Sequence, residues 1–386
     1  MNVLFVQTGH YAEAYARLKT GGEETYRDQR ASVDWVESLS QSCSVTVLSI
    51  SGETYDDIQL SPTLRSVNVS YETADELWFR NFFDETSPDK IICRLPHLAV
   101  LRLAKRYNIP TLANFADFFV NSSLRQVYWH LRLRLALTGP HLPCISNHSR
   151  NASLSVNRAL FYPKARVVPW DRLVIDAGYD VKTRPADDAV LRVFYAGVLT
   201  ESKGLGDLLK AVAYSVSQGG SLELTIAGEG DEADWRARAK SLAIGGRTTF
   251  LGKIPNESVM DYMNAHDVVV VPSRKDYGEG LPNTIREALA ARTPVITSDH
   301  PAFAGRLVQD QECLVFPERD HVALAQALMR LKDDAHLYET LSGNSAEAAQ
   351  RLKFGLYWGE LWDLFLKDPA SQTHWVQKNS LVSLGL

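Results

Sequence analysis

The chain has 386 residues and a mass of 43.1 kDa, which predicts two domains of about 150 to 200 residues each. Hydrophobic residues make up 45% and charged residues 23% of the sequence, and this excludes a mostly disordered or collagen-like chain. The formal net charge of -5 gives the molecule no overall positive field, so we do not expect a nucleic-acid-binding protein.

Four cysteines, Cys43, Cys93, Cys144 and Cys313, lie far apart in the sequence and form no pair with zinc-ligand spacing. We expect buried thiols in a reducing compartment. The first residues show no signal-peptide pattern, and no run reaches the roughly 20 apolar residues that span a bilayer. These features predict a cytoplasmic protein.

Strand and helix patterns alternate along the first half of the chain. Gly21 and Gly22 lie between the first strand and the first helix. Strands are predicted over 3–7, 44–50, 90–95, 111–115 and 143–146, and helices over 23–39, 100–106 and 124–137. Such alternation is typical of a doubly wound α/β sheet with parallel strands and helices on both faces.

The second half repeats the same alternation. Its strands are predicted over 191–196, 222–227, 248–251, 267–271 and 294–297, each rich in β-branched residues. Between Pro169 and Ala189 the pattern fades, which indicates a linker. We therefore predict a Rossmann-like domain over 1–175, a second one over 190–345, and a helical, aromatic segment over 346–386 that packs back toward the first domain.

The strongest candidate site is the segment 272–290, where a strand ends, a glycine-containing loop follows and a helix begins. Asn283 is suited to be the N-cap, and the free N–H groups of the first turn favour phosphate binding. Glu279 lies in the loop, and Glu287 is predicted in the first turn. A glutamate near a helix start is also favourable without a ligand, so both a structural and a functional role stay open.

Two further glycine-containing loops follow strands. The loop 227–233 matches a dinucleotide-binding pattern, but Glu229 and Asp231 would repel a pyrophosphate. We therefore predict a tight strand-to-helix turn, and a contact with the edge of a nucleotide is the alternative. Lys203, beside Gly204, follows the strand 191–196 and could reach a diphosphate as a point charge. A solvated surface lysine is the alternative.

The segment 125–137 combines arginines with large apolar residues. We predict a cationic helix that partly covers the first domain, and weak association with a membrane surface or a charged lipid is the alternative. The sequence contains no Asp-x-Asp triplet, so a metal-dependent sugar-nucleotide site is not predicted.

With these segments in order, the second half resembles the donor-binding domain of retaining glycosyltransferases of family four, the group 1 glycosyltransferases. The matching segments are 195–204, 224–230, 250–252, 272–290 and 294–299. The first half matches more faintly, through Gly21 and Gly22 and through 88–96. The resemblance implies the GT-B fold, in which two Rossmann-like domains face each other across a cleft.

The resemblance also implies roles for individual residues. Glu287 would bind the ribose of a nucleotide-diphosphate sugar, whereas Glu279 and Lys203, the catalytic candidates, would contact the donor sugar and the leaving diphosphate. The implied donor-binding set is Gly21, Gly22, Lys203, Gly252, Lys253, Ile254, Glu279, Gly280, Leu281, Pro282, Asn283 and Glu287. Neither a metal nor a cofactor is implied.

The sequence departs from the family pattern at several positions. Val198 stands where the family usually has an arginine that pairs with the lysine on the diphosphate. Arg94 or His97 falls near the position of a frequent histidine, and Asp117 lies beside Ala116, at the position of another. Arg94, His97 and Asp117 are therefore candidates for sugar or acceptor contacts.

The expected function is transfer of a hexosyl group, with retained configuration, from a nucleotide-diphosphate sugar to an acceptor hydroxyl. The resemblance favours a UDP-sugar, with a GDP-sugar second, and implies polysaccharide, lipopolysaccharide or other glycoconjugate biosynthesis. The acceptor would be a glycan, a lipid-linked glycan or a small molecule. The alternatives are a sugar-nucleotide epimerase of the same fold and a non-catalytic nucleotide-sugar-binding subunit, which Val198 suggests.

Overall fold

The computed structural model describes residues 1–50, 55–72, 74–172, 175, 178–184, 190–367 and 374–386. The chain forms two compact units, each with its own parallel sheet. Unit 1 comprises Met1–Arg172 and Phe354–Leu386, and unit 2 comprises Leu173–Lys353. No helix in the described part of the chain has the length and apolar character needed to cross a membrane.

The sheet of unit 1 takes strands from both segments of that unit. They are β1 (Asn2–Gln7), β2 (Ser44–Ile50), β3 (Asp56–Ser61), β4 (Leu64–Val69), β5 (Lys90–Cys93), β6 (Thr111–Phe115), β7 (Ile145–His148), β8 (Val167–Asp171) and β15 (Leu356–Tyr357). Their order in the sheet is β15-β8-β7-β6-β5-β1-β2-β4-β3. All neighbouring strands in this order are parallel except β3 and β4, which form an antiparallel edge pair.

Sequence patterns did not predict β3, β4 or β8. β3 is polar and largely exposed, so it lacks the apolar run that marks a buried strand. β8 is fully buried, but Pro169 in its centre is unusual in a strand and concealed it. The predicted linker therefore starts too early, and residues 173–174, 176–177 and 185–189 of that linker lie outside the described residues.

Helices cover both faces of this sheet. They are α1 (Tyr11–Lys19), α2 (Gln29–Ser40), α3 (Glu76–Thr86), α4 (Leu98–Arg106), α5 (Leu124–Ala136), α6 (Arg150–Leu160), α13 (Trp358–Lys367) and α14 (His374–Asn379). One apolar core lies between the sheet and α3 to α6, and a second contains side chains from α1, α2 and α13. Within the second core, the Phe5 and Trp362 rings pack edge to face with centroids 5.4 Å apart.

The prediction of a helix over 23–39 is wrong at its start, because α2 begins at Gln29 and another helix, α1, precedes the two glycines. Gly21 has φ of 81°, and the amide of Gly22 donates to the carbonyl oxygen of Arg17 at 2.8 Å. The glycines therefore terminate α1, as a left-handed residue after a helix commonly does.

Unit 2 has a six-stranded parallel sheet in the described residues. The strands are β9 (Leu191–Ala196), β10 (Leu222–Ala227), β11 (Thr248–Gly252), β12 (Val268–Val271), β13 (Val295–Ser298) and β14 (Leu314–Phe316), in the order β11-β10-β9-β12-β13-β14. The helices are α7 (Leu205–Ser217), α8 (Glu232–Ser241), α9 (Val259–Ala265), α10 (Asn283–Ala290), α11 (His321–Asp333) and α12 (Ala335–Leu352). The five predicted strands of this half are confirmed to within one residue at each end, and β14 was not predicted.

Loops at the carboxyl edge of this sheet pack backbone against backbone. A Cβ atom on Gly228 would lie 1.8 Å from the carbonyl oxygen of Gly197, and the amide of Gly228 donates to Gly252 at 2.8 Å. A Cβ atom on Gly204 would lie 2.0 Å from the carbonyl oxygen of Pro272. The loops after β9, β10, β11 and β12 therefore meet only because these positions lack a side chain.

Replacing Gly204 by alanine should destabilise unit 2 by about 3 kcal/mol or more, because the residue has a left-handed backbone and its Cβ would overlap Pro272. Urea unfolding of Gly204→Ala and of the control Gly246→Ala measures this. A Cβ at Gly246 meets nothing within 4 Å, so the control should change the free energy of unfolding little. Equal effects of the two substitutions would contradict the packing argument.

A second prediction concerns Lys182, whose Nζ donates to the carbonyl oxygen of His266 at 2.6 Å and to Oγ1 of Thr293 at 2.8 Å. Burial lowers the pKa of Lys182 from 10.5 to about 7. Between these two pH values the unfolded chain binds more protons than the folded one, so the contribution of Lys182 to stability should rise with pH over that window.

Urea unfolding of wild type, Lys182→Met and the exposed-lysine control Lys210→Met between pH 7 and pH 10 checks this. The stability difference between wild type and Lys182→Met should grow with pH, by at most about 1.4 kcal/mol per unit of pKa shift. The difference for Lys210→Met should stay flat. A flat difference for both variants would contradict the buried-lysine account.

Candidate functional site

A charged pair lies at the carboxyl edge of the sheet of unit 2. Nζ of Lys203 lies 2.5 Å from Oε2 of Glu279, and the two side chains are only 15% and 14% exposed. The same ammonium lies 4.3 Å from the centre of the Tyr277 ring. The structure therefore brings the two predicted catalytic residues into direct contact.

Local backbone geometry positions this pair. Oγ1 of Thr200 accepts from the amide of Lys203 at 3.3 Å, and Gly204 then starts α7. On the other loop, the amide of Glu279 donates to the carbonyl oxygen of Tyr277 at 2.9 Å. Oε1 of Glu279 is buried and has no hydrogen-bond partner among the described residues. A buried carboxylate oxygen without a partner is suited to accept from a ligand hydroxyl.

Two further side chains surround the pair. His300, just after β13, is fully buried; its Nδ1 accepts from the amide of Ala302 at 3.1 Å, and Nε2 lies 3.0 Å from the carbonyl oxygen of Tyr277. Nε2 is therefore the donor. Burial lowers the pKa of His300 and raises the pKa of Tyr277, and the charge of Glu279 raises the latter further. Both groups are thus neutral hydrogen-bonding groups near neutral pH.

Sequence analysis missed His300. A polar residue directly after the predicted strand 294–297 lies at the same edge as Lys203 and Glu279, because parallel strands end at one edge. The position of His300 just after a predicted strand could therefore have identified it as a candidate site residue.

The segment after Glu279 forms the start of α10. Gly280, Leu281 and Pro282 are buried, and α10 begins at Asn283 with Pro282 as its N-cap residue. The prediction of Asn283 as N-cap is therefore wrong, since the fixed extended backbone of Pro282 ends the loop one residue earlier. Glu287 consequently lies beyond the first turn, where it is buried. The first N–H groups of α10 have no partner within the helix, as at any helix start.

The predicted base-binding residues lie at the end of β11 and just after it. Gly252 has φ of 65° and accepts from Gly228, Ile254 is half-buried, and Lys253 is exposed, with its Nζ 2.8 Å from Oε1 of Glu229. The tight turn predicted for 227–233 is confirmed, since Asp231 caps α8 by accepting from the amide of Asp234 at 3.1 Å.

Arg274 does not supply the arginine that the resemblance leads one to expect at position 198. Val198 is exposed, and its carbonyl oxygen accepts from the hydroxyl of Tyr195 at 2.8 Å and from the amide of Thr200 at 3.0 Å. Arg274 binds Asp207 through two hydrogen bonds of 2.8 and 2.9 Å and Glu201 at 3.0 Å. Its guanidinium is therefore committed to these carboxylates rather than to a second diphosphate contact.

The unit 1 candidates lie in separate surroundings. The guanidinium of Arg94 lies 5.2 Å from the Trp362 ring and donates to Oε1 of Gln7 at 3.0 Å. The ring of His97 instead lies 4.8 Å from that of Phe79, on the face covered by α3. The two side chains therefore belong to opposite faces of the sheet.

Asp117 and the glycine pair complete the predicted set. Burial raises the pKa of Asp117 to about 6. Burial, and after it the charge of Asp117, also raises the pKa of Tyr71, whose ring neighbours His97. The amide of Gly22 is occupied by the carbonyl oxygen of Arg17.

Within the described part of the chain, no three His, Cys, Asp or Glu side chains converge as in a metal site.

A small cavity beside Arg94 was not anticipated from the sequence. Asn114, Arg172 and Trp362 line it together with Tyr26, and its volume is about 10 Å³, room for one water molecule. Oδ1 of Asn114, Nε of Arg172 and Nε1 of Trp362 are all buried without a hydrogen-bond partner among the described residues. One hydrogen-bond acceptor and two donors without partners therefore converge at this cavity, which favours an occupant that both donates and accepts hydrogen bonds.

The chain is similar to known proteins over different lengths. Residues 181–348 match the family model of "Glycosyl transferases group 1". The amylovoran biosynthesis glycosyltransferase AmsK of Erwinia amylovora is 32% identical over 157 residues, which are 40% of this chain and 39% of that protein. The chain thus spans about two fifths of the length of the curated relatives it matches.

Solved structures match nearly the whole chain. Sucrose-phosphate synthase from Thermosynechococcus elongatus superposes with a TM-score of 0.67 at 19% identity, over 95% of this chain and 100% of that one. Anabaena Alr3699/HepE in complex with UDP and glucose gives a TM-score of 0.64 at 16% identity, over 92% and 96%. Residues 181–348 therefore form a group 1 glycosyltransferase domain, in a chain that has the GT-B fold.

Proposed function

We propose that the protein transfers a hexosyl group from a nucleotide-diphosphate sugar to an acceptor hydroxyl, with retention of anomeric configuration and without a metal ion. The observation that carries this proposal is the contact between Lys203 and Glu279, with one buried oxygen of Glu279 left open. This contact supplies a cation for a diphosphate and an acceptor for a sugar hydroxyl at one point of the strand edge.

Lys203 would stabilise the leaving diphosphate. An ammonium has three N–H donors, and Glu279 uses one of them, so two can point toward phosphate oxygens. The backbone N–H groups of Gly280, Leu281 and Asn283 lie at the start of α10, where the positive end of the helix dipole adds to the charge of Lys203; Pro282 has no N–H to offer. Charge stabilisation of this kind, in a partly buried site, is the main source of catalysis that we assign.

Glu279 would orient the donor sugar. Its open Oε1 can accept from a sugar hydroxyl while Oε2 holds Lys203, so sugar and diphosphate are placed relative to each other by one side chain. The hydrogen bond from Nε2 of His300 to the carbonyl oxygen of Tyr277 ties this loop to the segment after β13. Orientation of the anomeric centre lowers the barrier by reducing the entropy lost on the way to the transition state.

The nucleoside would lie further along the same edge. Glu287, buried in α10, is the proposed partner of the ribose hydroxyls, and Gly252 to Ile254 would border the base. The likeness to a protein solved with UDP and glucose supports a UDP-sugar as the favoured donor. The name of AmsK, a protein of amylovoran biosynthesis, supports a role in polysaccharide or other glycoconjugate formation.

In the proposed reaction, the bond between the anomeric carbon and the diphosphate oxygen breaks as an oxocarbenium-like centre develops. The acceptor oxygen then bonds to the same face of that carbon, and its proton passes to the departing phosphate. No enzymic nucleophile is assigned. The acceptor, a glycan, a lipid-linked glycan or a small molecule, would be bound in the cytoplasm through unit 1. His97 and Asp117, which share the neighbour Tyr71, are its proposed contacts, whereas Arg94 lies against Trp362 on the other face of the sheet and is not assigned one.

A non-catalytic nucleotide-sugar-binding subunit is the second candidate. Val198 in place of the family arginine favours this candidate. Arg274 is held by Asp207 and Glu201, so Lys203 is the side-chain cation that we assign to the diphosphate, without a second one beside it. This candidate shares the donor site and differs only in lacking turnover.

A thermal-shift panel of UDP, GDP and their hexose derivatives tests the donor site. One base should raise the melting temperature, because a ligand that binds only the folded state stabilises it by mass action, by about 2.7 kcal/mol at 100 times its Kd. Glu287→Ala should lower the affinity for that nucleotide about tenfold or more, because hydrogen bonds to a charged carboxylate are lost. Glu223→Ala, an exposed glutamate at the start of β10, should leave the shift unchanged.

The absence of a shift with every nucleotide would contradict the proposal, as would an equal shift in wild type and Glu287→Ala. With the donor known, NMR of the product should show the anomeric configuration of the donor, and activity should survive EDTA. Binding without turnover for any acceptor class would favour the non-catalytic candidate.

A further inference from the structure

Helix α5 exposes a row of large apolar side chains. Leu124, Tyr128, Leu131 and Leu135 are 88%, 62%, 46% and 65% exposed. Their spacing of four, three and four residues places them in one narrow stripe along the helix. We call these four residues the α5 ridge.

The ridge is not needed for the core of unit 1. The buried positions of α5 are His130, Leu133 and Ala136, which lie on the opposite side of the helix, and Leu133 and Ala136 pack in the core on that face of the sheet. The helix is thus apolar on two sides, although a helix on a domain surface needs only one. Clustered exposed apolar side chains of this kind mark an interaction surface.

The charge around the ridge is strongly biased. Between Arg102 and Arg166 the sequence has ten Lys and Arg residues and one acidic residue, Asp117, in a chain whose net charge is -5. Helix α5 itself has no acidic residue. Arg125 and Arg132 flank the ridge on one side, and the guanidinium of Arg132 lies 5.6 Å from the Tyr128 ring.

The neighbouring helices extend this basic surface. Nζ of Lys105, at the end of α4, donates to the carbonyl oxygen of Leu135 at 2.6 Å, and Arg134 donates to the carbonyl oxygen of Leu160, at the end of α6, at 2.8 Å. Arg102 and Arg106 of α4 and Arg158 of α6 are exposed on either side. An apolar stripe between rows of cations thus covers one side of unit 1.

We propose that the α5 ridge inserts into the surface of an anionic lipid bilayer, with the helix lying in the plane of the membrane. The apolar side chains would enter the boundary between headgroups and acyl chains, and the arginines would meet lipid phosphates. The 13 residues of α5 are too few to span a bilayer. A protein partner would have to present an acidic surface around an apolar groove, whereas an anionic bilayer offers both along the whole stripe.

Flotation of the full chain with lipid vesicles tests this proposal. Wild type should bind vesicles of phosphatidylcholine mixed with phosphatidylglycerol, bind vesicles of pure phosphatidylcholine weakly, and lose binding as salt rises. Leu131→Asp combined with Leu135→Asp should weaken binding about tenfold or more, through loss of buried apolar area. Arg125→Gln combined with Arg132→Gln should weaken it about thirtyfold.

The matched control is Leu77→Asp, which changes an exposed leucine on α3 and should bind like wild type. Leu77, Arg125, Leu131 and Leu135 are exposed and Arg132 is half-buried at the surface. The melting temperatures should therefore be nearly unchanged, which separates lost binding from lost folding. The proposal would be overturned if wild type did not bind anionic vesicles, or if the α5 variants bound them as well as wild type does. A wild-type dimer that becomes monomeric in the α5 variants without any vesicle binding would also overturn it, because the ridge would then contact a second copy. The result is independent of the donor assignment.

Discussion

The ion pair between Lys203 and Glu279 depends on how closely the loops of unit 2 approach one another. Lys203 follows β9 and Glu279 follows β12, and the two strands are neighbours in the sheet. Gly204 lets the first loop reach the backbone of Pro272 at the start of the second. Without that approach the ammonium and the carboxylate would lie on separate loops, and the site would have no fixed charge pair.

The parallel topology explains why one edge collects the polar groups. Each strand of unit 2 ends at the same side, so Lys203, Glu279 and His300 meet although they are far apart in sequence. Burial keeps His300 and Tyr277 neutral. Lys203 and Glu279 are therefore the charged members of this cluster. The two opposite charges balance, and an ammonium beside an open carboxylate oxygen would suit the proposed ligand, which brings both a diphosphate and hydroxyl groups.

Sequence patterns predicted the strands of unit 2 well because each is a short β-branched run between helices, and the strand ends located Lys203 and Glu279. They failed where side chains and backbone conflict. Pro169 concealed the buried strand β8, polar residues concealed β3, and at the start of α10 Pro282 displaced the cap from Asn283. His300 and the cavity beside Arg94 depend on contacts between distant segments, which periodicity does not contain. Periodicity is equally insufficient for α5. Its sequence has apolar residues on two sides of the helix, and the pattern does not determine which side packs in the core.

Titration calorimetry with UDP and with uridine, on wild type and on Lys203→Ala, tests whether Lys203 holds the diphosphate. If Lys203 holds the diphosphate, wild type should bind UDP far more tightly than uridine, and Lys203→Ala should reduce that ratio about tenfold or more while the affinity for uridine stays the same. An unchanged ratio in Lys203→Ala would show that the diphosphate is bound elsewhere and would contradict the account.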